Sequence, residues 1–204
     1  MQALDRLRAG NRRFVAGEAT TSVAPSPAHR EALVAGQAPF AIVLGCSDSR
    51  VPAELVFDQG FGDLFVIRVA GNIVAPSQIG SVEFAASRFG TPLVVVMGHS
   101  RCGAILATVE EILGRASTHP HNVRFIVDRI RPAVETLLST RDETDPSAVM
   151  HEAVRANIRA AVHQLQHGSA LIEQLLRDDG LLIVGAEYSL ETGVVSFFDG
   201  VPST

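Results

Sequence analysis

Apolar residues fall into two patterns along the chain. Phe40 to Leu44, Leu64 to Val69 and Pro92 to Met97 are short runs rich in β-branched and aromatic residues, each ending in Gly or a polar turn. Runs that are apolar on both faces predict buried parallel strands. Elsewhere apolar residues recur at helical spacing, which predicts helices over Pro52 to Phe57, Gln78 to Phe89 and Cys102 to Leu113, with Gly90 closing the second. Two longer helices follow. One runs from Val123 to Leu138, interrupted at Pro132, and the other from Pro146 to Gln166, with Asp145 as N-cap and Pro146 at the first helical position. Ser169 caps a shorter helix that ends before Gly180. Leu181 to Ala186 then forms a fourth strand and Gly193 to Phe198 a fifth, joined through a hairpin turn at Leu190–Gly193. Strands alternating with helices predict an α/β fold. Its central sheet is mostly parallel, about four parallel strands plus an antiparallel edge strand, with helices on both faces.

An amphipathic helix from Ala3 to Ala16 precedes the sheet, with Leu4, Leu7 and Phe14 on one stripe and Gly17 as its C-cap. Glu18 to Ala28, rich in Thr, Ser, Ala and Pro, reads as an extended linker. The chain therefore divides into an N-terminal helical arm and linker, residues 1–28, and an α/β domain, residues 29–204. The arm helix either docks on a neighbouring subunit or packs on its own domain.

The length of 204 residues suits one domain carrying such an arm. A net charge of −5, without a cluster of like charge, argues against nucleic acid and anionic membranes as partners. No apolar run approaches the ~18 residues of a membrane span. The N-terminal segment lacks the apolar core of a secretory signal, so the cytoplasm is the expected compartment. All 17 basic residues are Arg, and the absence of Lys excludes Schiff-base chemistry and a lysine-bearing phosphate loop. The two cysteines, Cys46 and Cys102, are metal ligands, a redox pair or core residues in a reducing compartment, rather than a structural disulfide.

Both fall immediately after predicted strands, Cys46 within Cys-Ser-Asp-Ser-Arg at 46 to 50 and Cys102 within His-Ser-Arg-Cys-Gly at 99 to 103. Ligands of open parallel sheets bind at the carboxyl ends of strands. If the two strands are neighbours, Cys46, His99 and Cys102 converge. Two thiolates and an imidazole suit zinc, and three protein ligands leave a fourth tetrahedral position for water, the pattern of a catalytic site. A lone buried Cys usually packs as a small apolar residue, but the chain's only cysteines share this placement, one with a His three residues away. Asp48 and Arg50, one residue apart, form a carboxylate held ionised by a guanidinium. That carboxylate can orient a zinc-bound oxygen, turn to become the fourth ligand and close the site, or make a plain loop salt bridge.

Cys-Ser-Asp-Ser-Arg together with Gly-His-Ser-Arg-Cys-Gly at 98 to 103 resembles the β-class carbonic anhydrases. The resemblance extends to Gly-Asn-Arg-Arg-Phe at 10 to 14, Phe-Val-Ile-Arg-Val-Ala-Gly-Asn at 65 to 72 and Gly-Ser-Val-Glu-Phe-Ala at 80 to 85. It implies reversible hydration of CO₂ to bicarbonate and a proton by zinc-bound hydroxide. One Zn²⁺ per subunit would be held by Cys46, His99 and Cys102. Asp48 would orient the nucleophile and Arg50 anchor Asp48, with Asp48 as fourth ligand in a closed state. The resemblance also implies a homodimer as the smallest unit, or a tetramer, with Gln37 reaching into the partner's site. Phe65, Ala70 and Phe84 would form the apolar pocket, and the Gly103 N–H would hold a substrate oxygen. Some members bind regulatory bicarbonate beside an Arg that matches Arg68 and a Trp three residues before the first Cys, where this chain has Val43. Two rival readings use the same zinc, as a carbon disulfide or carbonyl sulfide hydrolase and as a non-catalytic bicarbonate sensor.

Overall fold

The computed structural model describes residues 1–21, 25–115, 119–139 and 146–202. Five strands form one sheet, β1 (Ala41–Gly45), β2 (Leu64–Arg68), β3 (Leu93–His99), β4 (Leu182–Tyr188) and β5 (Val195–Asp199). Their order is β2-β1-β3-β4-β5, parallel throughout except for β5, which runs antiparallel to β4 at one edge. This is the sheet the sequence predicts. Among the described residues, eight helices surround it: α1 (Gln2–Ala16), α2 (Pro27–Leu33), α3 (Ala53–Val56), α4 (Pro76–Phe89), α5 (Gly103–Ile112), α6 (His121–Ser139), α7 (Pro146–His167) and α8 (Ala170–Asp178).

Both faces of the sheet are buried, as the continuous apolar runs require. Ile42, Leu44, Val94, Val96 and Ile183 point to a core shared with residues of α4 to α8. Val43, Val95, Met97 and Val184 point the other way, to a core that includes Leu4 and Leu7 of α1 and Phe57 after α3. The α1 helix thus lies on its own sheet. α7 comes unusually close on the opposite face, where a Cβ on Gly98 or Gly185 would sit 2.7 or 2.8 Å from Ile158 side-chain atoms. Glycine at both positions is what lets α7 seal the sheet next to the end of β3.

Three expectations need correction or fall elsewhere. Pro132 does not interrupt its helix, since α6 runs unbroken from His121 to Ser139. A proline removes one N–H bond and bends a helix, but Val127, Ile130 and Val134 on either side are all buried and pin both halves to one core. Part of the predicted linker is helical, because Ser26 accepts a hydrogen bond from the His29 N–H and Pro27 opens α2. Asp145, expected as the cap of α7, lies outside the described residues, as do residues 22–24 of the linker.

Candidate metal centre

The chain runs from β1 outward to β2, crosses back over β1 to β3, and then continues away through β4. The direction reverses between β1 and β3, and the crevice at their carboxyl ends is where such sheets bind ligands. Cys46 follows the last residue of β1, and His99 is the last residue of β3. Cys102 is the N-cap of α5. Their ligand atoms all lie within 4.8 Å of one another, and all three residues are buried. The two strands are therefore neighbours, and the three residues converge as expected. Both cysteines are free thiols.

His99 identifies what the cluster is for. Its Nδ1 lies 2.9 Å from the Ser100 carbonyl oxygen, which can only accept, so Nδ1 carries a proton and, in the neutral ring that a metal would bind, Nε2 the lone pair. That Nε2 is fully buried and has no hydrogen-bond partner. A buried acceptor left unpaired is costly, and here it lies within 4.8 Å of two sulfurs. A soft or borderline divalent cation satisfies all three atoms at once, so the residues fit a metal.

The electrostatics suit a cation. The Cys102 thiol and the His99 ring pull the Cys46 thiol down to about 4 against the opposing effect of burial, assisted by the Gly71 N–H at 3.4 Å from its sulfur. Cys102 is pushed up, because it donates to Cys46 and is itself buried. The two thiols are thus pushed in opposite directions, and a metal ion is what would hold both as thiolates. Burial drives His99 toward neutrality, but the adjacent Cys46 charge outweighs it and raises the ring.

Asp48 stands at the rim of this cluster. Its carboxylate takes a two-pronged grip from Arg50, with Nε at 2.9 Å and Nη2 at 2.7 Å, and also accepts the Arg50 backbone N–H at 3.0 Å. Those bonds hold the carboxyl well below its ordinary range. Asp48 Oδ2 lies 3.8 Å from His99 Nε2, so one carboxylate oxygen faces the ligand side of the imidazole while the Arg grip is intact.

The remaining predicted site residues are placed as follows. Ala70 sits in a 3-10 turn, Ala70–Asn72, that also supplies the Gly71 N–H. Phe65 and Phe84 approach with ring centroids 6.3 Å apart, and Phe89 completes a three-ring cluster at 6.2 and 5.6 Å. Phe84 is 53% exposed. Gly103 is the first residue of α5 and is exposed, and Gln37 lies exposed between α2 and β1. Residue-type reasoning missed three supports. Arg68 donates to the Cys46 carbonyl at 3.0 Å and the Asp48 carbonyl at 2.6 Å, bracing the whole loop. The Gly71 amide reaches Cys46 sulfur, and buried Asn157 on α7 holds the Gly71 carbonyl at 2.8 Å. Of these, Arg68 and Gly71 carried a signal, both as part of the family match at 65 to 72.

Comparison with known proteins places the chain in a family. The family model described as carbonic anhydrase matches residues 41–195. Carbonic anhydrase 2 of Mycobacterium tuberculosis is 40% identical over 188 residues, 92% of this chain and 87% of that protein. A carbonic anhydrase of Mycolicibacterium smegmatis is 39% identical over 195 residues, 93% of this chain and 88% of its own. Among solved structures, a tetrameric β-carbonic anhydrase of Sordaria macrospora superposes with a TM-score of 0.78 at 21% identity, covering 100% of both chains. The β-carbonic anhydrase CafA of Aspergillus fumigatus gives 0.77 at 22%, covering 87% of this chain and 83% of its own. At such identities the structures establish the fold alone.

Proposed function

The chain belongs to the β-class carbonic anhydrases, and on that premise we propose that it catalyses the reversible hydration of CO₂ to bicarbonate and a proton. The observation that carries the reading is the buried Cys46–His99–Cys102 cluster with an ionised Asp48 held at its rim. Zinc is the cation we assign, one per subunit, and when bound it supplies a water acidic enough to act as nucleophile near neutral pH. Cys46 and Cys102 contribute negative charge that restrains that acidity, and the Gly71 N–H on Cys46 sulfur draws part of it away. Asp48 accepts a hydrogen bond from the nucleophile and sets its direction. Arg50 keeps Asp48 ionised and aimed. Phe65, Ala70 and Phe84 offer an apolar wall suited to CO₂, and the exposed Gly103 N–H offers a donor suited to bicarbonate.

The minimal unit we assign is a homodimer, which is also the smallest assembly in which Gln37 can serve a partner's site. The exposed face of Phe84, backed by Phe65 and Phe89, supports such a contact. A thiol pair that must stay reduced supports a cytoplasmic setting, and no described helix is long and apolar enough to cross a membrane. Stopped-flow CO₂ hydration beside sulfide release from carbon disulfide tests the chemistry. We expect rapid CO₂ turnover that disappears, together with bound zinc, in Cys46→Ser. Sulfide release with negligible CO₂ turnover would overturn the reaction, and full activity in a zinc-free Cys46→Ser protein would overturn the metal.

A further inference from the structure

Two residues separate the ligands His99 and Cys102, and a single carboxylate from another part of the chain touches both. Glu191 lies in the turn between β4 and β5. Its Oε2 accepts the Ser100 hydroxyl at 2.7 Å, and its Oε1 pairs with Arg101 Nε at 2.6 Å. The end of β4 and the turn are each fastened to the same loop as well, since the Ser100 N–H donates to the Tyr188 carbonyl and the Leu190 N–H donates to the Ser100 hydroxyl, each at 2.9 Å. The Ser189 hydroxyl steadies Glu191 at 3.2 Å. None of these groups is a metal ligand.

The loop needs holding. Arg101 has φ +55°, a left-handed conformation that a residue with a Cβ adopts only at a cost, and it is one of just three such non-glycine positions among the described residues. The twist there is what sends His99 and Cys102 side chains toward one point from a short segment. If Arg101 relaxed, the separation and aim of the two ligands would change, although the sheet and its core would not. We propose that Glu191 is a positioning residue for the metal site, gripping Ser100 and Arg101 so that the His99–Cys102 turn keeps its ligand geometry. The assignment rests on the zinc reading above. The Glu191 and Arg101 side chains are 44% and 74% exposed, so the pair itself adds little to global stability. Its effect is local and falls on how long the metal stays.

The test is the rate at which the zinc-loaded enzyme gives up its metal to an excess of a chelating dye, a measurement that does not involve CO₂. Glu191→Ala should release zinc about tenfold faster than wild type, the low end for loss of a group that orients metal ligands. Glycine takes positive φ without strain, so in an Arg101→Gly background the same substitution should change release by less than about threefold. If Glu191→Ala does not fold, Glu191→Gln, which still accepts from Ser100 but no longer faces Arg101 with charge, should accelerate release about threefold. Release at the wild-type rate in either variant, or equal acceleration with Arg or Gly at position 101, overturns the clamp while leaving the activity untouched. A protein that takes up no zinc overturns the metal reading and the clamp with it.

Discussion

Asp48 is held from three directions. Arg50 grips its carboxylate, the Arg50 amide caps one oxygen, and Arg68 pins its backbone carbonyl. Each bond removes a way for the carboxylate to turn. Asp48→Asn keeps the shape but turns one oxygen into a donor and removes the charge that Arg50 needs. The variant should retain zinc by metal analysis and lose about 10²- to 10⁴-fold in kcat/KM for CO₂ hydration. Loss of zinc alongside activity would instead make Asp48 a structural part of the cluster. At this scale the sequence was informative wherever chemistry resides in residue type. Cysteine and histidine at strand ends announce a metal, and an Asp two residues before an Arg announces a paired carboxylate. Arg68, Gly71 and Asn157 could not be read in that way. Their work is done toward backbone atoms and sulfur that only the folded packing brings near.

Among the elements, α1 shows how a short motif encodes docking. A Cβ on Gly10 would lie 1.7 Å from the Phe57 carbonyl oxygen, so only glycine lets the helix rest there. Asn11 donates to the Val56 and Gly193 carbonyls at 3.1 and 2.9 Å and accepts the Val195 N–H at 2.9 Å. One buried amide thus ties α1 to the end of α3 and to the β4–β5 turn. Asn11→Ala strands those buried backbone groups and should lower stability by about 2–3 kcal/mol, read from the shift in urea midpoint. The strands and most helices were legible because their apolar periods differ. α2 was not, since Pro25-Ser26-Pro27 looks like linker and its residues bury no apolar face. Pro132 misled for the opposite reason, because a local breaker was overruled by core contacts on both sides.

For the molecule as a whole, Asp58 sets an acid limit. Its side chain is only 1% exposed. Burial alone would push its carboxyl up, but the Thr21 and Thr20 amides and the Arg13 guanidinium, at 2.8, 3.0 and 2.5 Å, prevail and hold it well below the usual range. A depressed folded pKa stabilises above the unfolded value, near 3.9, and the benefit is lost as pH falls through the folded value. Asp58→Asn should therefore be less stable than wild type at pH 7, by about 1–3 kcal/mol. That gap should narrow below about pH 4, as parallel urea titrations at the two pH values would reveal. A gap independent of pH would mean that the lost bonds matter and the charge does not.

The three proposed ligand positions, 46, 99 and 102, all precede residue 103 of a 204-residue chain, whereas β4, which pairs with the far side of β3, begins only at Leu182. As the chain leaves the ribosome, the complete ligand set is available seconds before β4 is made, at about 5–20 residues per second. During that interval β3 is an edge strand with an open row of donors and acceptors, the kind of surface that seeks other chains. An ion captured early by Cys46 from one strand and His99 and Cys102 from its neighbour would staple the half-made sheet through its most exposed moment. If that ion is the zinc proposed above, its supply would bear on how many chains reach the folded state, as well as on how fast the finished ones turn over.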